Sequence, residues 1–263
     1  MLDRTDRGPL LEVRGLTRSF YGVHALNGVD LAVQSGRLTG LIGPNGAGKT
    51  TLFNCVSGLV VPESGRVVFA GEEIGGVRPD RIAARGLIRT FQIARGCPRL
   101  TVRENLLLYG TRQPGEHVAA ALMRTRSARR REAELQERAR GITQRLGLLH
   151  VLDNKAAALS GGQKKLLEIG RALMAEPRMI LLDEPTAGVN PSLARDIGER
   201  LRHIVADGIT LLLIEHQMDM IARLCDHVIV MAAGRRLTEG SFAEVSADHV
   251  VQEAYMGRPH CLS

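Results

Sequence analysis

The spacing of apolar and polar positions changes several times along this chain, and each change marks an element. Residues 10–14 and 29–33 (Leu10-Leu11-Glu12-Val13-Arg14 and Val29-Asp30-Leu31-Ala32-Val33) alternate, which predicts half-exposed strands of an antiparallel sheet. Mainly apolar runs at 38–42, 179–182 and 209–214 predict buried strands instead, as in a parallel sheet covered on both faces. Further strands are expected at 66–70, continuing through 71–74, and at 87–92, 227–231 and 236–239. Helical patterns fill the intervals: 52–56, 79–85 closed by Gly86, 164–175, 192–206, 218–224, 242–245 and 248–255. Another, 102–108, is entered through Thr101 and Glu104 at capping-box spacing. From about 117 to 146 the composition is helix-forming, with a discontinuous apolar stripe (Ala119, Leu122, Met123, Leu135, Ile142) and eight arginines between Arg124 and Arg145. That arginine face reads as a solvated surface, with anionic lipid headgroups as the sharper alternative.

Composition narrows the class. The chain has 263 residues, 44% hydrophobic and 24% charged, ordinary values for a globular protein. No apolar run reaches the ~18 residues that a membrane span needs, and residues 1–7 lack the apolar core of a secretory signal. Four scattered cysteines without a C-x-x-C pair suit a reducing compartment, so a cytoplasmic location is expected. A net charge of +7 permits nucleic acid, an anionic membrane face or an acidic partner. Absence of Trp and only 3% aromatics argue against a base-stacking platform, so nucleic acid is disfavoured.

Chemistry concentrates at five places. Gly43-Pro44-Asn45-Gly46-Ala47-Gly48-Lys49-Thr50-Thr51 fits G-x-x-x-x-G-K-[ST] between a predicted strand and a predicted helix, a phosphate-binding loop in its proper setting. Its glycines let backbone N–H groups approach phosphates, Lys49 adds a point charge, and the Thr50 hydroxyl suits Mg²⁺. A second glycine-rich turn, Ser160-Gly161-Gly162-Gln163, opens a helix with Ser160 as N-cap, a further anion site. One chain needs only one loop around a triphosphate, so this turn is expected to complete the pocket of another copy. The run 179–184 ends in Asp183 and Glu184, at the strand end where open α/β sheets bind ligands. Asp183 suits Mg²⁺ and Glu184 the orientation or deprotonation of an attacking water. His216 follows the next strand, within reach of the same phosphate, and Phe20 offers a ring for an adenine.

The order of these motifs resembles that of ABC transporter ATPase subunits over nearly the whole chain. The loop at 43–51 is similar to Walker A, Leu159–Gln163 to the family signature, and 179–184 to Walker B. Gln92 is similar to the Q-loop glutamine, His216 to the switch histidine, and Phe20 to the A-loop aromatic, with Tyr21 as the second register. Residues 186–190 resemble the D-loop but carry Asn190 where the family usually has Asp. The fold implied is an α/β P-loop NTPase core with a parallel sheet, an N-terminal antiparallel β-subdomain and a helical subdomain. It would form one domain over 8–257, with the helical insert near 93–158 and a short tail at 258–263.

The resemblance also implies ATP and Mg²⁺, with Gln92, Thr50 and Asp183 near the metal and Glu184, His216 and Gln92 near the reacting phosphate. It implies a head-to-tail dimer with the same or a similar ATPase, transmembrane permease subunits, an indirectly acting periplasmic solute-binding protein, and a peripheral place on the cytoplasmic side of the inner membrane. Arg89-Thr90-Phe91-Gln92, the long helical insert, Glu215-His216-Gln217-Met218-Asp219 and the tail 251–257 resemble the larger ATPase of branched-chain amino acid importers. Urea/amide importers and the lipopolysaccharide-export ATPase look related. A non-transport ABC ATPase acting on nucleic acid is the rival class. A P-loop GTPase is disfavoured because no Asn-Lys-x-Asp stretch occurs.

Overall fold

The computed structural model describes residues 8–90, 97–111 and 126–256, which divide into two compact units. The first unit takes its described residues from the N-terminus to Arg89, from Arg178–Glu184 and from Leu201 onward. It holds two sheets.

The smaller sheet has the order β2-β1-β4-β5, with β1 Leu11–Phe20, β2 Val23–Val33, β4 Ser64–Phe69 and β5 Glu72–Glu73, every pair antiparallel. Leu11 and Val13 of β1 face the core opposite Val33 and Leu31 of β2, as period-two alternation requires. The register then shifts between Val13 and Leu16, where Gly15 sits at φ 56° and donates its N–H to Asp30 Oδ1 at 2.8 Å. This irregularity interrupts the alternation, and both strands run on to the Phe20–Val23 pair. Tyr21 (φ 50°) and Gly22 (φ 83°) close the hairpin, both left-handed as a two-residue type I′ turn demands.

The larger sheet has the order β10-β9-β3-β8-β7-β6: β3 Leu38–Ile42, β6 Leu87–Arg89, β7 Met179–Asp183, β8 Thr210–Ile214, β9 His227–Ala232 and β10 Arg235–Gly240. Strands β3, β7 and β8 are buried at every residue, which explains their largely apolar sequences. Five strands run parallel and β10 joins antiparallel through the Ala233-Gly234 turn, so the sheet is mixed at one edge. The parallel registers bring the C-terminal ends of β6, β7, β8 and β3 to one edge. Helix α1 (Lys49–Val56) contributes Leu52, Phe53, Cys55 and Val56 to a core shared with residues of both sheets. Truncating the fully buried Phe53 to Ala would cost about 3–5 kcal/mol. Helices α2 (Pro79–Ala84), α7 (Met218–Leu224), α8 (Phe242–Ala247) and α9 (His249–Met256) complete this unit.

The second unit covers Thr90–Pro177 and Pro185–Arg200. It contains α3 (Val102–Leu107), α4 (Arg126–Arg145), α5 (Gly161–Met174) and the first part of α6 (Pro191–Ala206). The expected capping box forms at Thr101 with Glu104, and the expected N-cap Ser160 forms a second box with Gln163. Leu135, Ala139, Ile142 and Leu146 recur every three or four residues and are buried. A Cβ on Gly170 would lie 3.0 Å from Leu106 and 3.1 Å from Leu146, which measures how closely α3, α4 and α5 pack. Ala119, Leu122 and Met123 lie outside the described residues. Not all the arginines of α4 are solvated. Arg138 donates to the Leu173 carbonyl at 2.9 Å, Arg131 donates to the Thr111 carbonyl at 2.8 Å, and both pair with Glu176 beyond the end of α5.

Candidate active site

The chain leaves β3 at Ile42 and enters a loop pinned by backbone on two sides. A Cβ on Gly43 (φ 148°) would sit 2.1 Å from the Met231 carbonyl, and one on Gly48 (φ 97°) 2.4 Å from the Ala25 carbonyl. Only glycine fits either position. The turn after β9 holds the loop further, since Gly234 donates its N–H to the Ala47 carbonyl at 3.2 Å. Asn45 and Gly46 form the exposed tip, Pro44 is half-buried and Ala47 buried.

Lys49, the first residue of α1, is buried and folds back on the loop. Its ammonium donates to the Gly43 carbonyl at 2.7 Å and the Pro44 carbonyl at 3.0 Å. Burial lowers its pKa, and the negative charges of Glu184 and Asp183 oppose that shift. Thr50 is exposed and Thr51 half-buried at the first turn of α1.

The two carboxylates have different surroundings. Asp183, the last residue of β7, is buried and accepts from Arg89 Nη2 at 3.2 Å. Glu184 has left the strand and taken φ 48°, a left-handed conformation rare for a residue with a side chain. Its N–H still donates to the Ile214 carbonyl at 3.0 Å, so the strained residue is tied to the end of β8. Its Oε1 lies 2.8 Å from Nε2 of His216, and an ionised Glu184 accepts the Nε2–H. The His216 N–H donates in turn to the buried carboxylate of Glu215 at 3.1 Å. Asp183 pairs with Ile214 in the parallel ladder, and this register brings Glu184 beside the chain leading to His216.

Phe20 closes β1 and is 38% exposed, with the Arg18 guanidinium 4.9 Å from its ring centre. Tyr21 is the turn residue and fully exposed. Gln92 lies outside the described residues. Ser160, Gly161, Gly162 and Gln163 belong to the second unit. There Ser160 Oγ accepts from the Gln163 N–H at 3.3 Å, and Gln163 Oε1 accepts from the Ser160 N–H at 2.9 Å. Gly162 is packed so tightly that a Cβ would meet Leu193 Cδ2 at 1.9 Å. Asn190 accepts the Leu193 N–H at 2.9 Å and caps α6.

Arg89 belongs to this site although its sequence marked it only as part of a familiar tetrad. Its guanidinium and the Asp183 carboxylate are 7% and 6% exposed. Burial lowers the Arg89 pKa and the charge of Asp183 counters it. A cationic residue ending a strand beside another that ends in a carboxylate is the signal that could have revealed the pair.

Residues 26–187 match the family described as ABC transporter. The chain is 39% identical over 250 residues to the high-affinity branched-chain amino acid transport ATP-binding protein BraF of Pseudomonas aeruginosa, covering 95% of this chain and 98% of that protein. It is 41% identical over 256 residues to the probable branched-chain amino acid transport ATP-binding protein LivG of Methanocaldococcus jannaschii, covering 96% and 99%. The crystal structure of the ADP conformation of an ATP-binding cassette of an ABC transporter superposes with a TM-score of 0.82 at 39% identity, covering 96% of this chain and 100% of that one.

Proposed function

The chain belongs to the ABC transporter family of ATP-binding proteins, and from that premise we propose that it is the ATP-hydrolysing subunit of an importer for branched-chain amino acids. One arrangement carries the catalytic part of the reading. A phosphate-binding loop, a carboxylate pair and a histidine leave one edge of one sheet, with His216 and Glu184 already in hydrogen-bonding contact. The names of the relatives support the choice of solute.

ATP is the substrate. The loop amides and Lys49 bind its phosphates, and the ammonium exchanges two neutral carbonyl acceptors for charged oxygens, which bond more strongly. Phe20 presents a ring to the adenine. Glu184 orients or deprotonates the attacking water, and His216 fixes Glu184 and reaches toward the γ-phosphate. The strained backbone of Glu184 and its tie to β8 hold this base in place, so catalysis rests on positioning and preorganised electrostatics.

Thr50 and Asp183 would hold Mg²⁺. Both supply hard oxygen ligands, and among the described residues no group of three or more His, Cys, Asp or Glu forms a metal cage. That suits an ion which keeps most of its water and binds mainly through substrate phosphates. When bound, Mg²⁺ neutralises charge on the phosphate chain. Gln92 is assigned a sensing role at the metal and γ-phosphate.

Ser160–Gln163 opens a 14-residue helix whose positive end suits an anion, and we assign it to the ATP held by a second ATPase, identical or similar. Among the described residues no helix is long and apolar enough to cross a membrane, and the proposed partners are separate transmembrane permease subunits. A cytoplasmic helix of such a subunit is proposed to dock against the helical subdomain. A peripheral place on the cytoplasmic side of the inner membrane and a periplasmic solute-binding protein complete the proposal.

The test is co-purification from native membranes, followed by reconstitution with the captured subunits and an uptake assay. Two permease-like proteins and ATP-dependent uptake of leucine, isoleucine or valine support the proposal. Capture of lipid-export components, urea-specific uptake, or recovery with nucleic acid and no membrane protein would overturn it.

A further inference from the structure

We propose that Arg89 is a positioning residue for the Mg²⁺ site, holding the Asp183 carboxylate in place from outside the metal's own ligands. The inference rests on the ATPase reading above and goes beyond it, because Arg89 touches neither phosphate nor water in that mechanism.

Three elements triangulate the guanidinium. Arg89 ends β6, where its backbone pairs with Leu181 of β7. Nη2 reaches Asp183 Oδ2 at 3.2 Å. Nη1 turns to the phosphate-loop helix, donating to Asn54 Oδ1 at 2.6 Å and to Ser57 Oγ at 3.4 Å. The group also lies 5.6 Å from the centre of the Phe53 ring. A planar fork with donors on two nitrogens satisfies β7 and α1 together, and a lysine ammonium at this position has no such fork. Asp183 and the helix that carries Thr50 are thereby referred to one rigid group. These are the residues assigned to the metal, so their mutual placement is set before the ion arrives.

Arg89 takes Oδ2 of the carboxylate that would help to hold the ion. Site charge is balanced as well: Lys49 and Arg89 against Asp183 and Glu184. Without Arg89, the buried Asp183 carboxylate would lose its fixed direction and its hydrogen-bonded counter-charge.

The experiment compares wild type, Arg89→Met and Arg89→Lys by two measurements. One is the affinity for trinitrophenyl-ATP in EDTA, which reads the phosphate loop without metal. The other is the Mg²⁺ concentration giving half-maximal hydrolysis at saturating ATP. Arg89→Met should keep its metal-free affinity within about twofold and need about 10-fold or more Mg²⁺, the usual effect of removing an outer partner of a metal ligand. Arg89→Lys, which keeps the charge without the fork, should fall between. Unchanged Mg²⁺ dependence in Arg89→Met would overturn the proposal. So would a loss of metal-free affinity by the same factor, which would make Arg89 a packing residue of α1. If Arg89→Met does not fold, Arg89→Lys decides alone, and wild-type Mg²⁺ dependence there refutes the idea. A wild-type protein without Mg²⁺-dependent hydrolysis would refute the ATPase reading instead.

Discussion

Nε2 of His216 lies 2.8 Å from Oε1 of Glu184, although the two are 32 residues apart. Neighbouring parallel strands make this contact. Strands β7 and β8 pair up to Asp183 and Ile214, and the next residues on each side carry the acid and, one further, the imidazole. Glu184 pays for its position with a left-handed backbone, held by its N–H bond to Ile214.

Glu184→Gln should therefore bind ATP normally and lose about 10²–10⁴-fold in turnover, the range for a positioned acid–base group. The amide keeps the side-chain shape and still accepts from His216, so the thermal transition should not move. A phosphate-release assay beside a nucleotide titration checks both points, and normal turnover would remove Glu184 from catalysis.

Lys49→Met should abolish nucleotide binding without loss of stability. Burial disfavours the charged ammonium in the folded state, so the unfolded chain holds that proton more tightly. This costs stability at neutral pH, and the cost fades as pH rises toward the ordinary lysine value of 10.5. Nucleotide-free Lys49→Met should melt at or above the wild-type temperature at pH 7, with the gap narrowing at higher pH. A lower melting temperature would show that the carbonyl bonds outweigh desolvation.

Ser160 allows helix capping to be separated from anion binding. Ser160→Ala should cost about 1 kcal/mol by losing the acceptor for the Gln163 N–H. Ser160→Asp keeps an acceptor and should leave stability nearly unchanged, yet it should abolish hydrolysis by placing a carboxylate where a phosphate is proposed to sit. Denaturant melts and turnover distinguish the two effects. Mixed Lys49→Ala and Ser160→Arg chains should regain at most one composite site per dimer. Full activity of Ser160→Arg alone would refute completion by a second chain.

Phe20→Ala should weaken ATP binding by about 1–3 kcal/mol, the usual value of stacking on a base. Tyr21→Gly should leave affinity unchanged and stabilise the hairpin slightly, because glycine takes a positive φ without strain. Nucleotide titration of both variants assigns the register, and the opposite pattern would make Tyr21 the stacking residue.

Local chemistry made much of the fold legible. The glycine-rich loop at 43–51, the Thr101 capping box, the Ser160 N-cap and the buried strands could be read because each depends on neighbours within a few residues. What escaped depends on distant chain. The early end predicted for the first strand reflects the irregularity at Gly15, which breaks alternation while the ladder continues. The tip of β2, from Val23 to Ala25, has no buried face and is strand only because β1 lies beside it. Arg89 looked like any charged residue closing a strand until β7 placed Asp183 opposite. Asn190, a departure from the usual aspartate, retains that residue's capping role by accepting the Leu193 N–H. The arginines of α4 gave no hint that Arg138 caps a neighbouring helix and that Arg131 is tied to the Thr111 carbonyl.

The bolting of the phosphate loop to the turn after β9 has a consequence for biosynthesis. Gly43 is fitted against Met231, and Ala47 is held by Gly234, close to 190 residues later in the chain. Strand β3, from which the loop springs, lies between β8 and β9, both made late. A ribosome-bound fragment ending before β9 carries the complete motif without the framework that shapes it. Nucleotide affinity therefore arises only when the last third of the polypeptide has emerged and docked, so a stalled or truncated product is a poor competitor for ATP.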